Sequence, residues 1–165
     1  MRNKKMVIYG VILTIAAGGQ LVLAFVLYNP AGNHTLINLG WGVLMLSALF
    51  GWLPIFTFRK KGGVKGGGYI RTTVLVDSGV YGIVRHPQYL AGVLMSIALP
   101  MISQHWVVVL FGVVAGVIYY LNTFDEEVGC IEKFGEAYKE YMAAVPRMNF
   151  ILGIIRSLRA GREPQ

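Results

Sequence analysis

The sequence predicts an all-α integral membrane protein of about four transmembrane helices, arranged as two hairpins, with an amphipathic C-terminal helix lying over a polar site at the membrane surface. Three observations carry that expectation. Of 165 residues, 55% are hydrophobic and only 14% charged, and the mean hydropathy is +0.57, more apolar than a soluble domain of this length tolerates. The apolar residues are gathered into runs separated by short polar breaks. Positive charge is gathered too. Arg2, Lys4 and Lys5 precede the first run, and Arg59, Lys60, Lys61, Lys65, Arg71 and Arg85 lie between the second and third, whereas residues 29–35 hold no Lys or Arg.

By the positive-inside tendency, the N-terminus, the central loop and the C-terminal tail face the cytoplasm. A net charge of +7 in another chain would raise nucleic acid as a partner; here the basic residues flank apolar runs, so they report membrane orientation. The single cysteine, Cys130, excludes an intrachain disulfide framework and argues against a structural zinc site. One membrane domain over residues 1–165 is expected, with residues 1–61 as an N-terminal hairpin and residues 62–165 as the part that carries the chemistry. The first run is too long for a removable signal peptide and reads as a permanent anchor.

Residues 6–28 and 36–58 are each long enough for a bilayer core of about 30 Å at about 1.5 Å per residue. Asn29-Pro30-Ala31-Gly32-Asn33 between them has turn chemistry, so an antiparallel hairpin follows. Gln20 and Asn38, polar side chains inside these spans, are expected to hydrogen-bond between helices. The loop over residues 62–85 is glycine-dense. No Gly-Lys-Ser/Thr follows its glycines and no strand precedes them, so it reads as a flexible hinge leading to an ordered segment, not a phosphate cradle.

Residues 89–103 and 106–121 form the second hairpin, turning at Gln104 and His105; the first of these runs is short for a span. Gly112-Val-Val-Ala-Gly116, like Ser47 to Gly51, is a small-xxx-small face for close helix approach. Pro54 and Pro100 are candidate kinks. Over residues 125–145, Val128, Ile131, Phe134, Tyr138, Tyr141 and Val145 recur at spacings of three and four, predicting an amphipathic helix ended by Pro146. Residues 150–158, with Arg156 and Arg159 nearby, predict a short interfacial helix.

Two polar groups break the apolar pattern. Around Arg85-His86-Pro87, Pro87 suits the first position of a helix whose positive end, with Arg85, His86, Tyr81 and Tyr89 around it, could hold a carboxylate or phosphate. The plain alternatives are a histidine satisfying local backbone and ordinary interfacial tyrosines. Asp125-Glu126-Glu127 could be carboxylates favoured at a helix start, but three acids beside an apolar span are costly unless one faces water, a cation or ligand hydroxyls. No second histidine stands at ligand spacing, so no metal is expected. The imidazole and the carboxylates are expected to face each other across a water-accessible cavity on the inner-leaflet side.

Gly79-Val-Tyr-Gly-Ile-Val-Arg-His-Pro-Gln-Tyr-Leu-Ala-Gly92, then Glu126-Glu127, then Phe134-Gly-Glu-Ala-Tyr138-Lys-Glu-Tyr141 and Val145-Pro146, in that order and spacing, resemble the isoprenylcysteine carboxyl methyltransferase family and its phospholipid methyltransferase relatives. The resemblance covers residues 73–146. It implies a membrane-embedded methyltransferase using S-adenosylmethionine, with the cofactor at the cytoplasmic face between the Arg-His-Pro turn and the acidic helix. Carried across, Thr73, Val74, Leu75, Val76, Tyr81, His86, Pro87, Gln88, Tyr89 and Glu126 are the implied cofactor contacts, and Arg85, His86, Asn122 and Glu127 the implied catalytic residues. His86 and its helix end would hold the methionine carboxylate, and Glu126 the ribose hydroxyls or amino group.

The implied partners are membrane lipids and a lipophilic or lipid-linked acceptor, not nucleic acid. Asn122 departs from the family, which has a substrate-carboxylate arginine there; an amine, thiol or uncharged lipophilic acceptor needs no such arginine. Two rivals stand beside this reading. Membrane sterol reductases, which use NADPH, have a related Arg-His-Pro-Asn-Tyr segment, and a non-enzymatic scaffold could retain the fold.

Overall fold

In lipid every backbone N–H and C=O must be satisfied within its own segment, so apolar runs of this length become helices. The computed structural model describes residues 2–61 and 74–160, and the order is helical throughout: α1 (Arg2–Val26), α2 (His34–Lys61), a 3-10 turn (Gly79–Gly82), α3 (Pro87–Ser103), α4 (Trp106–Phe134), α5 (Glu136–Ala144) and α6 (Phe150–Ala160). Lys4–Val26, His34–Thr57 and Trp106–Phe134 are long and apolar enough to cross a membrane, and α3 is apolar but shorter. Pro87 takes the first position of α3, where a missing N–H costs nothing. Pro54 and Pro100 lie inside α2 and α3.

The chain divides into two units, Met1–Leu49 with Tyr89–Asn122, and Phe50–Gln88 with Thr123–Gln165. In the first, Gln20 is fully buried and its Nε2 donates to the carbonyls of Ser96 at 3.0 Å and Val108 at 3.4 Å. The absence of a side chain at Gly112 permits this: a Cβ there would lie 2.5 Å from both Gln20 Nε2 and the Ser96 carbonyl oxygen. Ser47 Oγ donates to the Ala91 carbonyl at 2.8 Å. Both small-residue faces thus contribute to close approach, Gly112 through its missing Cβ and Ser47 through its hydroxyl. Asn38 differs from expectation: it is exposed and makes no interhelical bond among the described residues. The turns of the two hairpins are joined instead by Gln104, whose side chain accepts from Asn33 N and donates to Asn33 O, both at 2.9 Å.

The second unit departs further from expectation. No break separates the last apolar run from the acidic triplet; α4 continues to Phe134, so Asp125, Glu126 and Glu127 stand inside a helix and not at its start. Asn122, Thr123 and Phe124 hold no Pro or Gly to stop the ladder. Gly135 does stop it, with φ of 59°, a positive-φ conformation that glycine adopts without steric penalty. The single amphipathic helix expected over residues 125–145 is therefore two helices. Tyr138, Tyr141 and Val145 form a buried cluster with Leu75, Cys130, Ile131, Phe134 and Met142 packed on it; Val128, expected on that face, is exposed. α6 closes on the segment before α3 through Gly153, where an added Cβ would collide with the Ile83 carbonyl, and Phe150 meets Phe50 with ring centroids 5.5 Å apart.

Candidate functional site

All the geometry of the site lies in the second unit. Gly79, at φ of 67°, opens the 3-10 turn that brings Tyr81 inward, and the Tyr81 carbonyl accepts from the Tyr141 hydroxyl at 2.7 Å. The chain then runs alongside the connector between α5 and α6: Arg85 N donates to Pro146 O at 3.1 Å and His86 N to Arg147 O at 3.2 Å. Arg85 Nη1 reaches the carbonyls of Met142 at 2.6 Å and Val145 at 2.5 Å, the exposed-carbonyl end of α5 where a cation is favoured.

Glu127 is the centre of this arrangement. Its Oε1 accepts from Arg85 Nε at 3.1 Å and Nη2 at 2.8 Å and lies 3.2 Å from His86 Nε2. Arg147 Nε donates to Oε1 at 3.1 Å and Nη2 to Oε2 at 2.5 Å. The side chains of Arg85, His86 and Glu127 are all more than nine-tenths buried, and that of Arg147 is 23% exposed. A carboxylate so far from water needs paired charge and saturated lone pairs, and two guanidinium forks provide both. Arg147 also stacks over the Phe124 ring, 3.8 Å from its centroid, a cation–π contact.

Burial first, and then the Glu126 charge, pushes the Tyr81 phenol above its ordinary range. Burial likewise raises Tyr138 and Tyr141. The adjacent carboxylates therefore have different lives: Glu127 is locked in a buried ionic cluster, while Glu126 is exposed.

Of the residues expected at a site, Arg85, His86 and Glu127 meet, but not across a water-accessible cavity; they touch directly, and Arg147 joins the same carboxylate. Val76, Tyr81 and Pro87 are buried around the same turn, Leu75 packs on the tyrosine cluster, and Val74, Gln88 and Glu126 are exposed. Tyr89 and Asn122 are half-buried in the other unit, and Thr73 lies outside the described residues. Among the described residues no group of three His, Cys, Asp or Glu is placed to hold a metal. Sequence reasoning missed Arg147. Its signal was charge balance: it is the sole basic residue between Lys139 and Arg156, and it follows the proline expected to end the amphipathic helix.

Membrane-length helices with a buried Arg–His–carboxylate cluster at the head of α3, and a solvent-facing acid beside it, define a class of helical membrane protein built to order one polar turn. The chain belongs to the phospholipid methyltransferase family, which residues 34–137 match, a family of membrane enzymes that use S-adenosylmethionine. It is similar to protein-S-isoprenylcysteine O-methyltransferase of Mus musculus, 37% identical over 92 residues, or 50% of this chain and 30% of that protein, and to the Homo sapiens protein of the same name, 38% identical over 92 residues with the same coverage. Delta(14)-sterol reductase TM7SF2 of Mus musculus is 32% identical over 74 residues, covering 44% of this chain and 18% of that protein. The chain therefore spans less than a third of the length of these curated relatives.

Proposed function

We propose that this chain is an integral membrane methyltransferase that uses S-adenosylmethionine to methylate a small or lipophilic acceptor, with about four spans and its cofactor site on the cytoplasmic side. The observation that carries the reading is the divergence of the neighbouring carboxylates. Glu127, saturated by Arg85, His86 and Arg147, orders the turn that leads into α3. Glu126, exposed to solvent, keeps its acceptor capacity for a ligand.

The donor set fits the cofactor. The exposed Gln88 at the head of α3 suits its carboxylate; Glu126 suits the ribose hydroxyls or the ammonium; Val76 and Tyr81 offer apolar enclosure. His86, buried against Glu127, supports the turn and holds its imidazole in one orientation. When bound, the cofactor supplies a methyl group on a sulfonium, which needs in-line alignment and exclusion of water more than an acid or base. The chain's task is therefore positioning. Asn122 is uncharged and brings no cation to a carboxylate acceptor, which favours an amine, a thiol or an uncharged lipophilic nucleophile.

Ligand protection tests the assignment. S-adenosylhomocysteine at 100 times its dissociation constant adds about 2.7 kcal/mol to the folded state, so the detergent-purified protein should melt later with it and not with NADPH. The similarity to a sterol reductase makes NADPH the necessary comparison: protection by NADPH alone would replace the methyltransferase reading with a reductase one, and protection by neither would favour a scaffold. Mass spectrometry of a lipid extract incubated with methyl-labelled cofactor then identifies the acceptor and the methylated atom.

A further inference from the structure

We infer that Arg147 is a positioning residue for the turn proposed above to bind the cofactor, acting through Glu127; the inference rests on the methyltransferase reading. Arg147 belongs to neither polar group that marks the site, yet it joins them. Its carbonyl accepts the His86 amide at 3.2 Å, and its guanidinium spans both oxygens of Glu127, Oε1 at 3.1 Å and Oε2 at 2.5 Å.

Rotation of a carboxylate about its last torsion is soft, with broad minima, so Oε1 is presented steadily to Arg85 and His86 only if something pins the other oxygen. Arg147 does so. Its own orientation is set by the Phe124 ring beneath it, at 3.8 Å from guanidinium to centroid, and by the Pro146–Arg147 backbone that is paired to the Arg85–His86 backbone. The connector between α5 and α6 therefore acts on the turn twice, through main-chain bonds and through Glu127. A lysine carries the charge but neither the fork nor the flat face for stacking, so charge alone does not reproduce the role.

The test uses the full chain in detergent, with S-adenosylhomocysteine as the ligand and far-UV circular dichroism as the check of helical content. Arg147→Gln and the milder Arg147→Lys should each weaken ligand binding by about tenfold or more, and without ligand each should speed hydrogen exchange over residues 84–87 by a similar factor. Arg156→Gln is the control: that arginine binds the Ala143 and Ala144 carbonyls, a purely structural contact, and its loss should leave affinity within twofold. Because Arg147 acts through Glu127, Glu127→Gln/Arg147→Gln should bind no more weakly than Glu127→Gln alone. Multiplied losses in the double variant, or wild-type affinity and exchange in Arg147→Lys, overturn the inference. A wild-type chain with no affinity for S-adenosylhomocysteine overturns the methyltransferase reading itself, and the assigned role with it.

Discussion

Replacing Glu127 and Glu126 by glutamine, one at a time, should separate a carboxylate that stabilises the fold and orders the binding turn from one that serves the ligand without stabilising the fold. Glu127→Gln removes the anion shared by Arg85, His86 and Arg147, and breaking a buried pair from one side costs about 3–5 kcal/mol, because uncompensated charge stays behind. The lower end applies here. Arg147 is 23% exposed and can turn to water, whereas Arg85, at 7%, cannot, but keeps the Met142 and Val145 carbonyls through Nη1.

A loss of about 3 kcal/mol corresponds to roughly 6–12 °C in melting temperature for a chain of this size, on the scale of soluble domains. Glu126 is exposed, so Glu126→Gln should change stability by no more than about 0.5 kcal/mol, yet weaken S-adenosylhomocysteine about tenfold, the equivalent of ~1.4 kcal/mol. Thermal melts in detergent read the first quantity and calorimetric titration the second. Equal melting temperatures for Glu127→Gln and wild type, or unchanged ligand affinity in Glu126→Gln, would refute the division of roles.

Other perturbations follow from the packing. Tyr141→Phe deletes the donor to the buried Tyr81 carbonyl and should cost about 1–3 kcal/mol, read by thermal melt, since a buried acceptor is left unsatisfied. Burial raises the folded-state values of the Tyr81, Tyr138 and Tyr141 phenols above about 10, the unfolded value. Their contribution is thus complete below pH ~10 and is lost as pH rises through the folded values; absorbance at 295 nm should show these tyrosines ionising late, coincident with alkaline unfolding. Gly153→Ala pushes a methyl group into the Ile83 carbonyl and should raise proteolysis and hydrogen exchange across α6. Gln20→Leu should cost about 1–3 kcal/mol by thermal melt, because the residue four on from Ser96 is Pro100, which has no N–H, so the buried Ser96 carbonyl loses the Gln20 amide with no α-helical donor to replace it.

The hairpins were legible because span length and turn chemistry are local: the bounds expected near residues 6–28, 36–58 and 89–103 lie within a few residues of α1, α2 and α3, and Pro87 marks the start of α3. The end of α4 was not legible. An acidic triplet after an apolar run looks like a new helix start, but polarity alone does not break an i→i−4 ladder, and Gly135 does. At the site, Arg85, His86 and Glu127 were recoverable from motif order, whereas Arg147 was not, because its role depends on a carboxylate 20 residues away in the chain.

Hydropathy and charge placement by themselves determined that this chain forms membrane-length helices, and motif order placed it with its family, since both are written in local composition and spacing. Tertiary structure alone decided which of two adjacent glutamates is buried and which meets solvent. Neighbours on a helix point about 100° apart, and only the arrival of Arg85, His86 and Arg147 from other parts of the chain determines which direction is the interior.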